Sequence, residues 1–197
     1  MPNSHHKHEI TLLNAALAAF IREQKLSLQY LEMAEKWFSP LISSILTHLK
    51  NTQNQPLIVG INGCQGSGKS TLAHYLRTIL DVVHNIGAEV LSIDDFYLSR
   101  QQRQHLANTV HPLLFTRGVP GTHDIGLLID VIKQFSNNHN ESIPLPTFNK
   151  AMDDIDTNAG RMSQPAARVI ILEGWCLGAA AQTPTELQGP INQLESK

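Results

Sequence analysis

Apolar residues recur at helical spacing through residues 9–50: Ile10, Leu13, Leu17, Phe20 and Ile21, then Leu28, Leu31, Trp37 and Phe38. The pattern predicts helices there, with Pro40 as a break and a further helical piece over 41–49. The polar run Asn51-Thr52-Gln53-Asn54-Gln55-Pro56 reads as a linker. The pattern then changes. Leu57-Ile58-Val59-Gly60-Ile61, Glu89-Val90-Leu91-Ser92-Ile93 and Arg168-Val169-Ile170-Ile171-Leu172-Glu173 are short, nearly continuous apolar runs, as expected of buried parallel strands. Between the first two, positions 72, 75, 76, 79 and 80 form one apolar helical face. His123 or Asp124 is placed to cap a second helix running to about Asn137, with Ile125, Leu128, Ile129, Ile132 and Phe135 as its buried side. Residues 143–147 suggest a short extended piece. Strands alternating with helices imply an α/β fold with a parallel sheet and right-handed crossovers. The expected organisation is a helical extension over 1–55 and an α/β core over 56–197.

Ligands of such sheets bind at the carboxyl ends of the strands. Here the three ends carry a glycine loop after residue 62, the acids Asp94 and Asp95, and Glu173. The loop, Gly63-Cys64-Gln65-Gly66-Ser67-Gly68-Lys69-Ser70, matches the phosphate-binding pattern G-x-x-x-x-G-K-[ST] at every fixed position, between a strand and a helix as that pattern requires. Gly66 and Gly68 let successive N–H groups turn inward at a helix N-terminus, where anions are favoured. Gly63, Gln65, Gly66, Ser67, Gly68, Lys69, Ser70 and Thr71 are therefore the expected nucleotide-binding set. Lys69 is expected on the β- and γ-phosphates, and the Ser70 hydroxyl on Mg²⁺. Glu173, at the end of an apolar strand, is the expected magnesium-associated carboxylate. Asp94 or Asp95 would orient an acceptor hydroxyl and take its proton, and Arg117 would clamp an acidic group of the substrate.

Composition narrows the classes. The 197-residue chain is 42% hydrophobic with a net charge of −2, and it carries no basic block that would suggest a nucleic-acid or membrane surface. It has no apolar stretch of bilayer-spanning length and no signal-peptide pattern. Two cysteines, Cys64 and Cys176, are too few for a disulfide framework and suit a reducing cytoplasm. If the strands before them are neighbours, the two thiols come close and oxidation would block the phosphate loop. His5, His6 and His8 read as a solvated tail. Asn149-Lys150-Ala151-Met152-Asp153 misses the guanine-reading Asn-Lys-x-Asp by one residue.

Further segments carry a resemblance. The phosphate loop is followed in order by Ser92-Ile93-Asp94-Asp95-Phe96-Tyr97-Leu98, His111-Pro112-Leu113-Leu114, Arg117-Gly118-Val119-Pro120-Gly121-Thr122-His123-Asp124 and Glu173-Gly174-Trp175-Cys176-Leu177-Gly178. With these motifs the chain resembles the D-glycerate 3-kinase family, which is similar in turn to uridine kinase, pantothenate kinase and phosphoribulokinase. The resemblance implies a P-loop nucleoside triphosphate hydrolase fold. It also implies ATP- and Mg²⁺-dependent phosphorylation of a small hydroxyl compound, with D-glycerate the leading candidate. Asp94 matches the base of the related kinases and stands with Lys69 as the catalytic pair. Asp95, Tyr97, Arg117, Thr122, Asp124 and Lys150 fall on the acceptor side. The family's Phe-Asp-Lys is here Phe148-Asn149-Lys150, and its usual arginine after Asp153-Asp154 is Ile155. The family also runs on beyond the position of Lys197, with further strands and an arginine-bearing lid. That implies an open edge at 57–61, a pairing surface for a second chain. The alternative function is an ATP-binding protein without phosphotransfer.

Overall fold

The computed structural model describes residues 4–52, 55–137, 141–193 and 196, with side chains from Thr11 onward. Helices α1 (Ser4–Glu23) and α2 (Gln29–Leu49) open the chain. The terminus read as a tail is thus helical from Ser4. The side chains of His5, His6 and His8, and linker residues Gln53 and Asn54, lie outside the described residues. Pro40 does not break the chain as expected: α2 runs straight past it, and no separate piece begins at residue 41. Ala34 before the proline and Ile42, Ile45 and Leu49 after it are buried in one apolar cluster. That packing outweighs the ~3 kcal/mol penalty of an interior proline. The actual break is at Lys25, which takes a left-handed φ of 53°.

Three strands form the central sheet: β1 (Leu57–Asn62), β2 (Ala88–Ser92) and the last strand, β7 (Val169–Gly174). Their order is β1-β7-β2, all parallel, with Asn62 opposite Gly174 and Ser92 opposite Glu173. Every residue of β7 is buried, which explains its unbroken apolar run. Val169 and Ile171 face a cluster with α1, α2 and α3 (Lys69–Val83). Ile170 and Leu172 face a second cluster with α5 (Ile125–Asn137). Among the described residues β1 pairs with β7 alone, and Ile58 on it is 48% exposed. Among the described residues no helix is long and apolar enough to cross a membrane.

The second strand stops one residue earlier than the apolar run suggested, because Ile93–Phe96 winds into a 3₁₀ turn. On α5 the buried face is Leu128, Val131 and Phe135, while Ile125 and Ile129 are exposed, against expectation. The reason is at its start: the Asp124 N–H bonds to the Phe96 carbonyl, which sets the rotation of the helix on the core. Helix α4 (Arg100–Thr109) is closed at its N-terminus by a reciprocal Ser99–Gln102 capping box. Two short antiparallel pairs complete the fold: β3 (Pro144–Leu145) with β6 (Arg161–Met162), and, nested between them in the chain, β4 (Phe148–Asn149) with β5 (Asp154–Ile155).

Arg103 on α4 joins these outer pieces. It is fully buried and donates to the carbonyls of Leu98, Phe115 and Asp153, with its guanidinium 3.0 Å from the Asp153 carboxylate. Arg103→Met is expected to cost about 3 kcal/mol, since it strands these acceptors in a dry site. Denaturant unfolding of the variant measures that loss.

Candidate active site

The carboxyl ends of β1, β7 and β2 open onto a cleft of about 560 Å³. Gln65, Gly66, Lys69 and Ser70 line one end, and Asp94, Asp95, Lys150 and Arg161 also line it, with Glu173, Gly174 and Trp175 from β7 and the turn after it. Parallel register thus gathers segments more than a hundred residues apart, as the strand ends implied.

The glycine loop owes its shape to two left-handed residues, Gly66 at φ 75° and Gly68 at φ 85°, the latter as N-cap of α3. Gly63, Ser67, Gly68 and Thr71 build the loop and the first turn of α3 without lining the cleft. Lys69 Nζ donates to the Cys64 carbonyl at 2.9 Å, so its ammonium lies over the loop. The Ser70 hydroxyl donates to Glu173 Oε1 at 3.0 Å. The side chain of Ile93 explains Gly174, the residue after Glu173: a Cβ at that position would lie 2.4 Å from it. A hydroxyl beside a carboxylate at the foot of a phosphate loop is an oxygen donor pair suited to Mg²⁺, which keeps most of its shell for water and phosphate. Among the described residues no three His, Cys, Asp or Glu side chains cluster as metal ligands.

Asp94 sits on the 3₁₀ turn after β2, where the Ser92 hydroxyl accepts its N–H. Tyr97 donates to Asp94 Oδ1 at 2.9 Å and Lys150 to Oδ2 at 2.7 Å. Burial pushes the Asp94 carboxyl up, but the bonds from Lys150 and Tyr97 outweigh it and hold the group below the ordinary carboxylate range. Burial and the same bond push the Tyr97 phenol far above its usual value, so it stays a donor. Burial raises Asp95, against the pull of Arg161. Burial lowers His74, which also lines the cleft, and the nearby charges of Arg77 and Arg161 lower it further.

Lys150 reaches Asp94 because a hairpin presents it. Phe148 is buried and meets Tyr97 edge-on at 5.2 Å, and the Asn149 side chain accepts the N–H groups of Ala151 and Met152. Asn149 therefore shapes the turn that carries Lys150, a task its amide oxygen performs as a carboxylate would. Ile155 is 39% exposed and does not line the cleft.

Other residues named from the sequence lie elsewhere. Arg117 pairs with Asp153 and, with Phe115 and Thr116, lines a separate hollow. Thr122 is fully buried, its hydroxyl donating to the Val119 carbonyl and accepting the Gly118 N–H. Asp124 accepts the Leu127 N–H at 2.8 Å and so caps α5. Asp124→Ala is expected to cost ~1 kcal/mol and lower Tm by about 2–4 °C in a thermal melt. Cys64 and Cys176 are free thiols, and burial together with the Asp94 charge raises Cys176, which makes it a poor nucleophile. Sequence reading did not single out His74, Arg77 and Arg161. His74 and Arg77 follow Ser70 by one helical turn and two, a spacing that could have shown them.

No family model matches the chain. It is 35% identical over 149 residues to an uncharacterized kinase of Schizosaccharomyces pombe, an alignment covering 70% of this chain and 53% of that protein. It is 31% identical to the chloroplastic D-glycerate 3-kinase of Arabidopsis thaliana, over 62% of this chain and 29% of that one. Among solved structures, the YGR205w protein superposes with a TM-score of 0.63 at 28% identity, over 85% of this chain and 58% of that one. A D-glycerate 3-kinase from Cryptococcus neoformans does so with a TM-score of 0.63 at 26% identity, over 77% and 55%. The chain spans about half or less of the length of the curated relatives it matches. A three-stranded parallel sheet opening on a glycine loop, together with these alignments, makes the chain a homologue of the P-loop kinases that include D-glycerate 3-kinase, with their fold.

Proposed function

We propose that the chain carries the catalytic cleft of an ATP- and Mg²⁺-dependent kinase that phosphorylates a hydroxyl of a small molecule, with D-glycerate the leading acceptor. One observation carries this reading: a carboxylate held ionised, Asp94, shares a single cleft with the phosphate loop and the Ser70–Glu173 pair. A nucleotide-binding site alone has no use for such a group.

ATP supplies the phosphoryl group, and Mg²⁺ neutralises charge on the phosphates. Lys69 and the loop N–H groups bind the phosphates, while Ser70 and Glu173 are the residues that would hold the metal. Asp94 orients the acceptor hydroxyl and accepts its proton as the new P–O bond forms and the bond to the leaving diphosphate breaks. Lys150, already on Asp94, keeps that carboxylate ionised until the hydroxyl arrives. D-glycerate as acceptor rests on the names of two relatives. The open edge of β1 offers backbone groups to a further strand or a second chain.

ADP release measured with hydroxy acids, sugars and nucleosides tests the reading. Release that depends on D-glycerate is expected. ATP binding with no acceptor-dependent release would favour the second reading, a nucleotide-binding protein without transfer.

A further inference from the structure

We propose that Arg161 is the specificity residue of this cleft, the cation that binds a carboxylate on the acceptor and so favours hydroxy acids over neutral alcohols. The proposal rests on the kinase reading above and deepens it.

Arg117, the arginine expected to clamp an acidic substrate, is engaged by Asp153 and lies off the cleft. Arg161 lines it. Its Nη2 is tied down on the floor of the fold: it donates to Glu89 Oε1 at 2.9 Å and to the Val90 carbonyl at 2.6 Å. Glu89 is buried at 2% exposure, and its other oxygen accepts the Gln164 N–H at 2.8 Å. The guanidinium is thus held before any ligand arrives, which lowers the cost of binding one. Its Nη1 reaches Asp95 only at 3.4 Å, and its Nε has no hydrogen-bond partner among the described residues. The side chain remains 34% exposed.

Arg161 and Asp94 line the same cleft, and Asp95, beside Nη1, follows Asp94 directly in the chain. His74 and Arg77 line the same cleft; Arg77 pairs with Asp81 at 3.5 Å, and burial with the charges of Arg77 and Arg161 lowers His74. Asp95 is the one carboxylate near Nη1, and burial already disfavours its charge. Lys150 bonds to Asp94 and Lys69 to the loop, while Arg161, held by Glu89 through Nη2, meets Asp95 only at 3.4 Å through Nη1.

Binding tests this without requiring turnover. The chain is saturated with Mg²⁺ and a non-hydrolysable ATP analogue, and D-glycerate is compared with its neutral amide by calorimetry. Arg161→Lys keeps a charge on Glu89 and so preserves the fold, but loses the fork. It is expected to weaken D-glycerate about tenfold, and Arg161→Gln roughly 30-fold or more, with the amide and the ATP analogue unaffected. The double variant Glu89→Gln/Arg161→Gln, which leaves no buried charge, is expected to match Arg161→Gln. Unchanged D-glycerate affinity in Arg161→Lys and the double variant would overturn the proposal, as would equal losses for acid and amide. Failure of the ATP analogue to bind the wild-type chain would remove the kinase reading itself, and the proposal with it.

Discussion

Lys69→Ala is expected to weaken ATP binding roughly ten- to hundredfold, the worth of a charged contact to phosphate, and to cut phosphotransfer by a further ~10²–10³. The two effects separate because the contact strengthens as charge moves onto the leaving diphosphate. Lys69 does not line the core, and among the described residues its ammonium bonds only to the Cys64 carbonyl. The variant should therefore melt like wild type. Nucleotide titration, single-turnover kinetics and a thermal melt together check all three points. A fall in Tm comparable with that of Arg103→Met would mean that the lysine acts through the fold.

Asp94→Asn should behave differently. The amide is nearly isosteric, so the Tyr97 hydroxyl keeps an acceptor, and ATP binding is expected to hold. Phosphotransfer should fall by ~10²–10⁴, the usual worth of a positioned base. The pH profile gives a second check. Asp94 lies below the ordinary carboxylate range because Lys150 and Tyr97 outweigh its burial. A group depressed in this way contributes stability that is present above its unfolded pKa and lost as pH falls through its folded one. The base form therefore persists through mildly acid solution, and the wild-type rate should not fall there through protonation of Asp94. Lys150→Met removes the larger of the two stabilising bonds, so it should move the acid limb of kcat/KM upward.

The sheet and its ligand end were legible in the sequence because local signals repeat what the fold requires. β7 reads as unbroken apolar residues since both its faces are covered, and the glycine loop follows β1 at the place where a parallel sheet binds anions. Asp94 and Glu173 could be read because each ends such a run. Arg161 could not. It sits on a two-residue strand whose partner lies sixteen residues upstream, and nothing in the pattern around it marks that pairing. Arg117 misled for the opposite reason: it stands in a motif-like loop, but Asp153, which engages it, is placed by a turn at positive φ that no periodicity shows. Pro40 illustrates a third limit. A local breaker signal failed there because burial on both sides of it was stronger.

The path of the γ-phosphate separates a kinase from a nucleotide-binding protein most directly. Transfer of label from γ-labelled ATP to D-glycerate, followed in wild type and in Asp94→Asn at saturating ATP, measures it. The expected result is a labelled phosphoglycerate formed by wild type at least ~100-fold faster than by the variant, with equal nucleotide occupancy in both. Equal rates in the two, or bound ATP with no labelled product from any hydroxy acid, sugar or nucleoside, would contradict it.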